Sequence, residues 1–135
     1  MKRCLIHIVT FNHGRTIAAC NDWTYSVLVS DNASTDDTPH ILKDRAASGR
    51  IELIEHPRNL GFCAAHNLAI ERAYDVGADA VLVLNPDVAL TPNCLREMLL
   101  AITAEHGADP RVGAVTPKLL RCHEDLTPLD PPIVD

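Results

Sequence analysis

Five polar clusters carry the chemistry this chain could do: Thr10-Phe11-Asn12-His13, Asp31-Asn32-Ala33-Ser34-Thr35-Asp36, His56-Pro57-Arg58-Asn59, Asn85-Pro86-Asp87 and Thr116-Pro117-Lys118. Each follows a short apolar run. The side-chain types are mainly carboxylates, amides and hydroxyls, the hard oxygen donors that Mg²⁺ and Mn²⁺ accept. In Asn85-Pro86-Asp87 two such donors lie two residues apart, and extended backbone points residues i and i+2 to the same side. Asp87 is therefore the candidate ligand for Mg²⁺ or Mn²⁺, with Asn85 giving a neutral oxygen or a hydrogen bond. A glycine-built phosphate cradle is absent. The turn after the first run reads Asn12-His13-Gly14-Arg15-Thr16-Ile17, with one glycine where a dinucleotide fingerprint needs three, and no P-loop sequence occurs. Neutralisation of a bound phosphate must then come from elsewhere, and a metal ion is the natural source.

These clusters need elements to hold them. Apolar runs at 5–9, 27–29, 51–54, 81–84 and 112–115 are rich in Val, Ile or Leu and too short for helices, so each predicts a strand. The continuous apolarity of residues 80–84 suits a strand covered on both faces. Helical patterns fill the gaps. Ser34 and Asp37 have capping-box spacing ahead of Ile41, Leu42 and Arg45, with Gly49 to close that helix. Phe62, Ala65, Ala69, Ala73 and Val76 mark one face of a second helix, stopped by Gly77. Thr91 and Pro92 open a third, with Leu95, Met98, Leu99 and Ile102 in its stripe and Gly107 at its end. The first crossover is the weakest joint, since only residues 16–22 can be helical there. This alternation predicts an α/β fold with a mostly parallel, doubly wound sheet of about five strands flanked by helices. In such sheets ligands bind outside the carboxyl ends of the strands, which is where all five clusters fall. Loops are polar in any protein; five in succession favour one shared crevice.

Composition bounds the function classes. The chain has 135 residues, enough for one domain, with 47% hydrophobic and 22% charged residues. Its mean hydropathy of +0.02 fits a globular domain rather than a disordered chain. Twelve basic against 18 acidic residues give a net charge of −6, which argues against a nucleic-acid partner. Five scattered cysteines without a C-x-x-C pair suggest neither a zinc site nor a disulfide framework, and a reducing cytoplasm fits them. The seven histidines are dispersed too, and are read as surface or strand-end residues. Residues 1–11 imitate a signal peptide, but His7 interrupts the apolar run and residues 12–15 are polar, so a first strand is expected. No apolar run approaches the roughly 20 residues that span a bilayer.

Read in order, residues 8–12 (Ile-Val-Thr-Phe-Asn), 29–36 (Val-Ser-Asp-Asn-Ala-Ser-Thr-Asp), 59–62 (Asn-Leu-Gly-Phe) with Asn67, 82–88 (Leu-Val-Leu-Asn-Pro-Asp-Val) and 112–118 (Val-Gly-Ala-Val-Thr-Pro-Lys) resemble the family 2 glycosyltransferases. The likeness is to the nucleotide-binding half of their GT-A fold, closest to the rhamnosyltransferase-like branch. It covers about residues 5–120. The resemblance implies a Rossmann-like nucleotide-sugar-binding domain over 1–120 and a Pro-rich tail over 121–135 leading towards an acceptor-binding half. It implies that Thr10 and Asn12 line the nucleotide pocket and that Asp31 and Asn32 face the base or ribose. Arg58, Asn59 and Gly61 would form a loop over the nucleotide. Asn85 and Asp87 would replace the family's D-x-D, with Asp87 on the Mg²⁺ or Mn²⁺ that bridges the diphosphate.

The reaction so implied is inverting transfer of a sugar, with rhamnose the leaning. The donor is of dTDP, UDP or GDP type, and the acceptor a saccharide or a lipid-linked one. The metal would stabilise the diphosphate leaving group, while a carboxylate base deprotonates the acceptor. That base belongs to a later acidic-aromatic segment, expected beyond Asp135, so the chain is expected to bind donor at most. The implied setting is cytoplasmic polysaccharide biosynthesis, with peripheral association at the inner face of the cell membrane as a variant. Two other readings stand beside this one: a non-catalytic nucleotide-binding fragment, and a metal-dependent nucleotidyltransferase or phosphohydrolase using Asp31 and Asp87.

Overall fold

The fold is described from a computed structural model, which covers residues 3–10, 24–91, 93–102, 112–121 and 123. The element order is β1 (Arg3–Thr10), β2 (Thr24–Asp31), α1 (Thr38–Ala47), β3 (Glu52–Glu55), α2 (Phe62–Asp75), β4 (Ala80–Leu84) and α3 (Cys94–Ile102). The four strands form one sheet in the order β3-β2-β1-β4, and every neighbouring pair is parallel. The chain divides into two compact units, Met1–Val88 with the whole sheet and Ala89–Asp135 with α3.

Strands β1 and β2 are central, and their apolar residues are buried on both faces: Cys4, Leu5, Ile6 and Ile8 in one, Val27, Leu28 and Val29 in the other. That is why they read as continuous hydrophobic runs rather than alternating ones. On one face Leu5 and Leu28 pack with Ala69 and Ala73 of α2, joined by Ile54, Ala78 and Val81. The stripe Ala65, Ala69 and Ala73 is buried almost completely, and such small side chains let α2 lie close to the sheet. Both α1 and α2 end in Schellman motifs. Arg50 N–H donates to the Arg45 carbonyl and Gly49 N–H to Ala46; Ala78 and Gly77 repeat the pattern on Ala73 and Tyr74.

Several expectations are corrected. Residues 112–115 form no strand, so the described sheet has four; Val112, Gly113 and Ala114 are exposed. Such a run is a strand only where a neighbouring edge pairs with its backbone. Strand β4 is the sheet edge among the described residues, with Val83 43% exposed, so its apolar sequence does not reflect cover on both faces. Helix α2 leaves Phe62 and Val76, the two ends of its expected stripe, exposed. Helix α3 begins at Cys94, and the Cys94 N–H closes a turn on the Thr91 carbonyl before it. Its buried residues are Leu95, Leu99 and Leu100. The helix expected at 16–22, the stop at Gly107 and the Pro-rich tail at 127–132 lie outside the described residues.

Candidate functional site

Parallel strands deliver their carboxyl ends to one edge. In register across it stand Thr10 of β1, Asp31 of β2 and Glu55 of β3, while Leu84 of β4 pairs with Ile8. The loops leaving β3 and β2 therefore start side by side, and the one leaving β4 starts on the far side of β1. Asp31 and Asn32 are each 3% exposed. The Asp31 carboxylate accepts the Ser34 N–H, 3.3 Å from each oxygen, and the Ser34 hydroxyl donates to its Oδ1. This corrects the capping box: Ser34 is held by Asp31, and helix α1 starts only at Thr38, whose N–H donates to Asp36 Oδ1 at 3.0 Å. Ser-x-x-Asp spacing suits a helix start, but a buried carboxylate three residues upstream competes for the same hydroxyl. The turn requires Ala33 to adopt a φ of +66°, a left-handed conformation that costs an alanine about 1–2 kcal/mol.

Asn32 ties the next loop down. Its Oδ1 accepts the Leu60 N–H at 2.9 Å, across 28 residues of sequence. Asn59 Oδ1 accepts the Gly61 N–H at 2.8 Å, and the Asp31 carbonyl accepts the His56 N–H at 2.9 Å. Asp31, Asn32 and the 56–61 loop are thus one hydrogen-bonded unit, from which Arg58, Asn59 and Gly61 are exposed. Thr10 is placed beside it by backbone register; Asn12 lies outside the described residues.

Asn85 and Asp87 project from the end of β4 and are exposed. The backbone is not extended there. Residues 85–88 form a turn in which the Val88 N–H reaches the Asn85 carbonyl at 3.4 Å, with Pro86 supplying the fixed φ such a turn needs. The same-side argument from extended backbone is therefore replaced by turn geometry. Among the described residues no group of three or more His, Cys, Asp or Glu is arranged to hold a metal. A single solvent-facing carboxylate still fits Mg²⁺, which is commonly held by one or two carboxylates together with substrate phosphates and water. Strands β2 and β4 flank β1, so the Asp31 and Asn85 loops begin two strand spacings apart, about 10 Å. Lys118 is exposed in the second unit.

Beneath this edge lies a feature missed in the sequence. His7 is fully buried in the middle of β1. Its Nε2 is 2.9 Å from Ser30 Oγ, and its Nδ1 is 2.8 Å from His66 Nδ1 in α2. The two imidazoles meet edge to face, and Phe62 also meets the His66 ring in a T-shaped contact, with centroids 4.3 Å apart. His66 Nε2 and His56 Nε2 are buried without a partner among the described residues. Burial, with repulsion from His66 and His56, lowers His7 to about 4; burial also lowers His66. The expectation of surface or strand-end histidines fails for both. Two signals pointed to the pair: period-two alternation puts His7 on the face of Leu5, and His66 adjoins Ala65 in the buried stripe of α2.

The described residues hold no helix long and apolar enough to cross a membrane. The Glycosyl transferase family 2 profile matches residues 6–126. Two Mycobacterium tuberculosis proteins, from strains CDC 1551 / Oshkosh and ATCC 25618 / H37Rv, are each 34% identical to this chain over 100 residues. Both are named N-acetylglucosaminyl-diphospho-decaprenol L-rhamnosyltransferase. The match takes in 68% of this chain, which spans 31% of their length. The crystal structure of S. aureus TarS 1–349 superposes with a TM-score of 0.57 at 22% identity, over 78% of this chain and 33% of that one. TarS 1–349 in complex with UDP-GlcNAc gives the same score and identity over 32% of its length. The fold is thus that of the nucleotide-binding half of GT-A enzymes. With the profile running from the first strand past the second unit's helix, the chain belongs to glycosyl transferase family 2.

Proposed function

We propose that this chain binds the nucleoside-diphosphate sugar donor of an inverting glycosyl transfer, at the carboxyl edge of its sheet. The observation that carries this reading is the joining of Asp31, Asn32 and the 56–61 loop into one hydrogen-bonded unit, beside the Asn85-Pro86-Asp87 turn. In this reading the polar groups around Asp31 and Asn32 meet the base or ribose, Thr10 and Asn12 line the pocket, and the loop of Arg58, Asn59 and Gly61 covers the nucleotide. Asp87 holds Mg²⁺ or Mn²⁺ and Asn85 contributes a neutral oxygen. When bound, the metal supplies the positive charge that stabilises a diphosphate leaving group. The acidic balance of the chain, −6, does not oppose this, because the counter-charge is local.

The names of the relatives support a finer version. The mycobacterial proteins are named for transfer of L-rhamnose to a decaprenol-linked acceptor, and TarS is crystallised with UDP-GlcNAc. By analogy the donor here is a dTDP, UDP or GDP sugar, with rhamnose favoured, and the acceptor a saccharide on a lipid carrier at the cytoplasmic membrane face. No residue of the chain is assigned as the base.

Isothermal titration of the full chain with UDP, dTDP and GDP, with and without Mn²⁺, tests the reading. One nucleotide is expected to bind at least tenfold more tightly with Mn²⁺, and Asp87→Asn to abolish that difference. A folded sample that binds none of them under either condition overturns the proposal.

A further inference from the structure

We propose that Ser30, His7 and His66 form an acid-released latch: a proton shared between the two Nδ1 atoms holds the first turn of α2, and with it the 56–61 loop, against the sheet edge. Its consequence for nucleotide binding rests on the donor-site reading above; the latch itself does not.

The geometry sets the condition for release. An N–H···N bond at 2.8 Å needs one nitrogen carrying a hydrogen and one bare. Two imidazoliums would each present a hydrogen to the other, and the contact would break. The two outer ends of this relay differ. Ser30 Oγ, 2.9 Å from His7 Nε2, can donate or accept as its hydroxyl rotates, so it serves either tautomer of His7. His66 Nε2 is buried with no partner among the described residues, so a hydrogen added there finds no acceptor among them. The titratable groups acting on His7 are His66 from α2 and His56 beyond β3, both bases, so neither compensates a positive charge; its β4 neighbour in register is Val83, which has none. Burial accordingly lowers both rings of the pair.

The connection to the loop is short. His66 lies on Phe62, Phe62 follows Gly61, and Leu60 N–H is fastened to Asn32 Oδ1. A shift of the His66 ring displaces the first turn of α2 and pulls on the Leu60–Asn32 bond. Apolar residues at 7 and 66 would fill the same space without this response to pH.

Amide hydrogen exchange on the full chain tests it, following Leu60 against Leu28 in the buried centre of β2. On acidification from pH 7 towards about 4, where folded His7 takes up its proton, the Leu60 protection factor is expected to fall at least tenfold while Leu28 stays protected. His66→Asn keeps an acceptor close to the position of Nδ1 without a second titrating ring, so Leu60 should stay protected in that variant. Loss of protection in step in the wild type and His66→Asn, or at Leu60 and Leu28 together, overturns the latch. A wild-type measurement guards against a variant that misfolds: long-range ¹H–¹⁵N spectra should show one protonated and one bare Nδ1 in the pair. Two rings titrating at the ordinary histidine value of 6.5 overturn the proposal as well. UDP affinity with Mn²⁺ should follow Leu60 protection. If none of UDP, dTDP and GDP binds at any pH while the exchange pattern appears as expected, the donor reading falls and the latch stands.

Discussion

Gly61 joins the donor loop to α2 with φ +81° and ψ 168°, a region nearly closed to residues with a Cβ. An added Cβ would meet nothing within 4 Å, so the cost of Gly61→Ala is conformational alone. It should lower stability by about 1–3 kcal/mol, read as a lower urea midpoint at unchanged m. Asn32 makes a separate prediction. Asn32→Ala leaves the Leu60 N–H without its acceptor and should cost about 1–3 kcal/mol, whereas Asn32→Asp keeps an oxygen there and should cost less. Equal losses in the two variants would show that the bond to Leu60 is not what Asn32 contributes. The placement of Asp31, Asn32, Arg58, Asn59 and Gly61 was legible because each follows an apolar run at the end where parallel strands collect their loops. The partners of these residues were not. Whether Ser34 caps a helix or satisfies Asp31 depends on where the carboxylate is buried, and a three-residue spacing is compatible with both.

The elements were legible where their signal is local. Gly49 and Gly77 end α1 and α2 as their positions suggested, and the alanine stripe of α2 marked its buried face. Signals that depend on distant neighbours were not legible. Among the described residues, 80–84 look like a central strand yet stand at the sheet edge, and 112–115 have the composition of a strand without the pairing. Composition reports what a strand can tolerate; pairing is settled by topology. The alanine stripe also carries a prediction. Ala69 is fully buried in the cluster with Leu5, Leu28 and Ala73. Ala69→Leu adds three heavy atoms where α2 approaches the sheet and should cost about 1–3 kcal/mol or more. Leu28→Ala opens a cavity in the same cluster and should cost about 2–5 kcal/mol. If that space is as filled as the burial indicates, the double variant should recover part of both losses, and urea titration of all three proteins measures the coupling. Strict additivity would mean that the two residues do not share a cavity.

For the whole molecule, the buried histidines make stability a function of pH with a definite sign. His7 binds a proton at about 4 when folded and at the ordinary 6.5 when unfolded. Between these values the unfolded chain holds more protons, so stability is complete above pH 6.5, falls as pH drops towards 4, and falls no further from this group below that. The difference corresponds to on the order of 3 kcal/mol, and His66 acts in the same direction. Net charge works the other way. The chain carries −6 at pH 7 and has an isoelectric point near 5.5, so acidification through this range first removes self-repulsion. The exposed pairs Lys43–Glu55 and Arg72–Glu52 are each worth only about 0–1 kcal/mol, too little to shape the profile. A drop in melting temperature that begins just below pH 6.5 is therefore the signature of the buried imidazoles. His7→Val should flatten that part of the profile while leaving the steeper loss at lower pH. A wild-type melting temperature that is level or rising from pH 6.5 to about 5, and is unchanged in shape by His7→Val, would show that the fold does not hold these rings neutral.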